Sequence, residues 1–112
     1  MTRLVGPAKA REIYFTADRV DARTGLELGL FNRVVPDAQL AEATFELAAQ
    51  IAGGPPIALR WMKANLNRAL EADLETCLRY EADRMVRGAL TDDYTEAVAA
   101  FSEKRTPRFK GC

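Results

Sequence analysis

Histidine is absent from this chain, and with it the commonest general base and the commonest metal ligand. Chemistry would have to come from cysteines, carboxylates or cations. Cys77 follows Leu74 at helical spacing on an apolar face, so a buried structural thiol is expected there. Cys112 is the last residue. The two cysteines are not spaced as a disulfide pair, and without histidine they do not make a zinc set. Two free thiols fit a reducing compartment, and a cytoplasmic location is expected. The adjacent carboxylates Asp92 and Asp93 follow Thr91, where a helix dipole favours negative charge. Glu81 falls among Leu74, Cys77, Leu78 and Met85 on an apolar stripe. A carboxylate there needs a partner or a raised pKa, so an inter-helix ion pair or hydrogen bond is expected. Gly53-Gly54-Pro55-Pro56 lacks the Lys-Ser/Thr of a phosphate loop and follows no strand. One constellation remains, at the C-terminal end. Phe101 and Phe109 alternate there with Lys104, Arg105, Arg108 and Lys110, against Glu103. A ring beside a cation stacks on a base while the cation meets a phosphate. A solvated helix end that suits the dipole is the alternative. No catalytic residue and no metal ligand set emerge.

The elements that must position these groups are mostly helical. Gly6-Pro7 predicts a short helix from Pro7 to Phe15, with Pro7 at its first position. Thr16 to Arg19 reads as a turn. Asp21 caps a second short helix through Leu28, ended by Gly29. Phe31 to Val35, closed by Pro36, is the one strand-like run. Asp37 is expected to cap a helix in which Leu40, Thr44, Leu47, Ala48 and Ile51 recur at helical spacing. Gly53 to Pro56 stops it. Ile57 to Arg87 contains neither glycine nor proline, yet its apolar positions fall in two sets. Two helices meeting near Ala72 are predicted, the second capped by Asp73 and ended by Gly88. Thr91 caps a last helix, with Val98 and Phe101 on its buried face and Lys104 and Arg105 in its last turn. The tail from Thr106 to Cys112 is expected to be extended. The fold class is therefore mainly α, with about six helices and one short strand.

Composition bounds the partners. The chain has 112 residues, 48% of them hydrophobic, with 16 basic and 16 acidic side chains. Such a balance gives no reason to expect nucleic acid or an anionic membrane. No run approaches the ~18 apolar residues of a membrane span. Arg11, Glu12 and Asp18 interrupt any leader-like N-terminal run. A compact chain of this size exposes roughly 6,000 Å².

Several motifs together carry a resemblance. Arg3-Leu4-Val5-Gly6 is followed by Ala10-Arg11-Glu12, Thr16-x-Asp18-Arg19-Val20-x-Ala22, Gly29-Leu30 and Arg33-Val34-Val35-Pro36. Leu40-x-x-Ala43, Ala48-x-x-Ile51-Ala52 and Lys63 come next. The most specific segment closes the chain: Asp93-x-x-Glu96-Ala97-x-Ala99-Ala100-Phe101-x-Glu103-Lys104-Arg105-x-Pro107-x-Phe109-x-Gly111. In this order the sequence resembles the C-terminal part of an enoyl-CoA hydratase/isomerase, the crotonase family. Three positions depart from the family pattern. Ala17 stands where a turn glycine is usual, Gly25 where alanine is usual, and Ala97 where glycine is common.

The resemblance implies residues 1–36 as the end of a crotonase core region and 37–112 as a helical trimerisation region with a tail. It implies acyl-CoA or enoyl-CoA as substrate, with the CoA moiety as the group recognised and no covalently bound cofactor. It implies a homo-oligomer built on trimers. The family places the thioester oxygen between two backbone N–H donors, which stabilise the developing enolate, and a glutamate moves the proton. Those parts belong to an N-terminal core that the motifs of this chain do not match. None of Glu12, Glu27 or Glu42 sits in a catalytic glutamate's motif, so inactivity of the chain alone is expected. Phe101 and Lys104 do match: in the family the corresponding aromatic and lysine reach the adenine end of CoA bound to a neighbouring subunit. A non-catalytic assembly or CoA-adenine-binding module working with a core-bearing chain is the alternative.

Overall fold

The computed structural model describes residues 1–112. It contains six α-helices and no strand: α1 (Thr2–Thr16), α2 (Ala22–Glu27), α3 (Leu40–Ala52), α4 (Pro56–Arg68), α5 (Leu74–Gly88) and α6 (Asp92–Glu103). The chain forms two compact units, Met1–Thr44 and Phe45–Cys112.

In the first unit, α1 is interrupted at Gly6, whose φ of 78° and ψ of 163° break the helical path. The continuous stretch therefore restarts at Pro7. Proline suits that position because its fixed φ is already helical and no N–H is needed. Ala17 ends α1 in the left-handed region (φ 54°, ψ 25°), its N–H donating to the Ile13 carbonyl. This is the turn at which a glycine would be free of strain. Asp21 caps α2 as expected, accepting from the Thr24 N–H at 2.7 Å.

The expected strand at Phe31 to Val35 does not form. Its residue types favour extended backbone, but a strand needs a second strand to pair with, and none exists here. Instead, Leu30 and Phe31 donate their N–H groups to the Gly25 carbonyl at 2.8 and 3.3 Å. The Phe31 ring folds onto Gly25 so closely that a Cβ there would lie 2.5 Å from Phe31 Cε2. Asp37 is not a cap either. It opens a single 3₁₀ turn, Asp37–Gln39, ahead of α3, and Pro36 occupies the cap position without a side-chain bond.

The second unit is built on an α4–α5 hairpin. Pro56 opens α4 and Asp73 caps α5, accepting from the Thr76 N–H at 2.7 Å. Two cation–π contacts fasten the hairpin. The Arg68 guanidinium lies 3.9 Å from the Tyr80 ring centre, and that of Arg84 lies 5.3 Å from the Trp61 ring centre. Trp61, Tyr80 and Arg84 are half-buried, and each contact contributes on the order of 1 kcal/mol. Thr91 caps α6 as expected, accepting from the Tyr94 N–H.

Little of the molecule is covered. Ala10 and Ala100 are the only fully buried hydrophobic residues. The accessible surface is 9390 Å², about half as much again as the roughly 6,000 Å² of a compact chain of this size. The apolar stripe of α5 faces solvent through Leu74, Leu78 and Met85. Glu81 on that stripe is itself exposed, so water solvates the carboxylate that was expected to need a partner. Cys77 is half-buried rather than buried. Val98 and Phe101, expected on a buried face, are exposed. Helical periodicity identifies which residues share a face, not whether another element covers it.

Candidate functional site

The C-terminal end of α6 gathers the residues singled out by sequence. The helix stops at Glu103, and Lys104 follows in the left-handed region with φ 54° and ψ 39°. The Lys104 N–H donates to the Phe101 carbonyl at 3.3 Å, and the Arg105 N–H to the Ala100 carbonyl at 3.0 Å. This pair of bonds is the Schellman ending, whose left-handed position is usually glycine. Lysine there costs about 1–2 kcal/mol relative to right-handed backbone. Lys104 and Arg105 were expected within the last helical turn; both instead lie just beyond it.

Phe101 lies three residues before Lys104, one helical turn away, and presents its ring to water at 86% exposure. Lys104 is exposed as well. These two residues, expected to act together, occupy the same helix end. Arg105 is held differently. Its Nη1 and Nη2 donate to Glu96 Oε1 and Oε2 at 2.5 and 2.9 Å, a two-pronged grip. Its Nε donates to Glu103 Oε2 at 2.5 Å. The Arg105 guanidinium, with the Arg108 N–H donating at 2.8 Å, holds the Glu96 carboxyl down to about 2.

One turn earlier on α6, Asp93 is 3% exposed. Lys110 and Gly111 donate their N–H groups to its Oδ1 and Oδ2 at 2.7 and 2.9 Å. The Asp93 N–H in turn donates to the main-chain oxygen of Cys112 at 3.3 Å. Asp93 is thus more than a charge at a helix start; it fastens the tail. The tail runs back along α6, laced first at Glu96 and then at Asp93. Sequence reasoning missed both roles. Their only signal was the Asp93-x-x-Glu96 spacing, which places two carboxylates on one helical face.

An apolar groove of about 380 Å³ lies among α4, α5 and α6, with Trp61, Met62, Met85 and Tyr94 in its wall. It holds no nucleophile–base pair.

Residues 1–112 match the family model for enoyl-CoA hydratase/isomerase. The chain belongs to that family. It is 34% identical over 105 residues to the short-chain-enoyl-CoA hydratase of Clostridium acetobutylicum, covering 94% of this chain and 40% of that one. It is 33% identical over 109 residues to the crotonyl-CoA hydratase of Syntrophomonas wolfei, covering 97% and 42%. Among solved structures, an enoyl-CoA hydratase from Bacillus anthracis superposes with a TM-score of 0.94 at 38% identity, covering 99% of this chain and 43% of that one. The six helices are therefore a region of a crotonase fold, and the chain spans about two fifths of the length of these relatives. The family match extends to the segment from Asp93 to Gly111, in which both the Phe101–Lys104 pair and the lacing carboxylates lie.

Proposed function

We propose that this chain is the C-terminal helical part of an enoyl-CoA hydratase/isomerase-type protein acting on CoA thioesters. Its own contribution is to contact the adenine end of CoA. The observation that carries this reading is Lys104, held in a left-handed turn where glycine would be unstrained, beside an exposed Phe101. The ring offers a stacking face to adenine and the ammonium a partner to phosphate. The proton transfers of the reaction reside outside these 112 residues. None of Glu12, Glu27 and Glu42 lies in the family's catalytic-glutamate motif, and on this reading the chain alone is inactive. Purified chain mixed with crotonyl-CoA leaves the enoyl absorbance unchanged on this reading; robust turnover would overturn it.

The uncovered area favours a second, compatible reading, in which the chain works as an assembly module. Its 9390 Å² exceeds that of a compact chain by about 3,000 Å², which is within the range of an obligate interface. A core-bearing chain and trimer-forming copies of the chain itself are the partners proposed, in a cytoplasmic, reducing setting that suits two free thiols. Light scattering of the purified chain is expected to report self-association. A monodisperse monomer with a sharp thermal transition would count against this module.

A further inference from the structure

Lys104 leads the chain out of α6 in the left-handed region. The two Schellman bonds fix the backbone but leave the following residues free to swing. Glu96 supplies the anchor. It meets both Nη atoms of Arg105 and the N–H of Arg108, so it grips the chain on the far side of Lys104 at two points. Glu103 takes the remaining Nε of Arg105. Asp93 then secures the tail end through Lys110 and Gly111. Arg105 is occupied by carboxylates, which leaves Lys104 as the cation of this turn facing solvent beside Phe101.

We propose that Glu96 is a positioning residue for the CoA nucleotide, acting through Arg105 to hold the Lys104 turn in its left-handed form. The proposal rests on the reading that Phe101 and Lys104 contact CoA. Glu96 itself touches no ligand. Its carboxylate ties Arg105 and Arg108 back to α6, so the Lys104 ammonium is pre-oriented and less rotational freedom is lost on binding.

The test is a double-mutant cycle on the full chain, titrated with CoA and with its adenine-nucleotide fragment. Lys104→Ala should weaken binding roughly tenfold, as loss of one charge-assisted contact does. Glu96→Gln should weaken it several-fold in the parent chain and have no further effect in the Lys104→Ala background. Arg105→Lys keeps the charge but loses the fork, so it should reproduce Glu96→Gln; it also carries the cycle if Glu96→Gln changes the helical circular dichroism. Additive losses in the cycle would overturn the positioning role while leaving the CoA reading in place. A parent chain that binds neither CoA nor the fragment would remove the CoA reading, and the positioning role with it.

Discussion

Replacing Lys104 by glycine separates stability from binding. Lys104 sits at φ 54° and ψ 39°. A residue with a Cβ pays about 1–2 kcal/mol there, while glycine pays none but loses about 0.5–1 kcal/mol more chain entropy on folding. The balance favours glycine by about 0.5–1 kcal/mol. Lys104 is exposed, so little packing is lost with the side chain. Ala17 provides the internal control, since it ends α1 in the same region (φ 54°, ψ 25°) and is assigned no ligand contact. Urea or thermal unfolding followed by circular dichroism should show both Lys104→Gly and Ala17→Gly chains slightly more stable than the parent. CoA titration should show Ala17→Gly unchanged and Lys104→Gly weakened about tenfold. A less stable Lys104→Gly chain would refute the reasoning, because the side chain would then be holding the turn rather than straining it. Undiminished CoA binding by that variant would remove Lys104 from the contact.

Asp93→Ala leaves two backbone N–H groups of the tail without their acceptor, and should cost about 2–3 kcal/mol in urea unfolding and speed amide exchange at Lys110 and Gly111. Acid should loosen the tail: the Glu96 carboxyl lies below its ordinary 4.5, at about 2, so its stabilisation is complete above 4.5 and is lost as pH falls from there to about 2, which an NMR titration of the Arg108 amide would follow. The Asp21 and Asp73 carboxyls are lowered too, first by the N–H groups of Thr24 and Thr76, so α2 and α5 should fray in the same direction on acidification. Gly25→Ala should destabilise the first unit because its Cβ meets the Phe31 ring, yet in a Phe31→Ala background the same change should stabilise α2 by about 1 kcal/mol through helix propensity, measured by unfolding of the four chains.

The local signals that were legible in the sequence act over a few residues. Asp21, Asp73 and Thr91 cap helices because a side-chain oxygen three residues before an N–H is a local arrangement. Pro7 marks a helix start for the same kind of reason, whereas Pro56, read only as part of a helix stop, also opens α4. Asp37 failed because Pro36 was already extended and the first turn tightened to 3₁₀, a choice that residue type at one position does not encode. Phe31 to Val35 failed because pairing is a property of two segments, and only one was present. At the end of α6, residue types and spacing mark a cluster of two rings and four cations, and the family resemblance selects Phe101 and Lys104 from it; the left-handed turn at Lys104 was not legible, since a residue with a Cβ is disfavoured there.

The tail gives the acidic pair a second role beside the helix dipole. Asp92 and Asp93 are neighbours in sequence and both sit in the first turn of α6, where the dipole alone accounts for negative charge. On a helix, however, adjacent residues point about 100° apart, so only one of them faces any given neighbour. Asp93 shares a face with Glu96, and that face receives the returning tail. The partners are backbone N–H groups of Arg108, Lys110 and Gly111, which no side-chain inventory displays. Main-chain donors tolerate changes of side chain at positions 108 and 110, while Asp93 and Glu96 must supply oxygens at fixed spacing. The closing motif therefore combines two demands on one helix: Asp93 and Glu96 supply the oxygens that lace the tail to α6, and Lys104 supplies the left-handed turn from which that tail sets out.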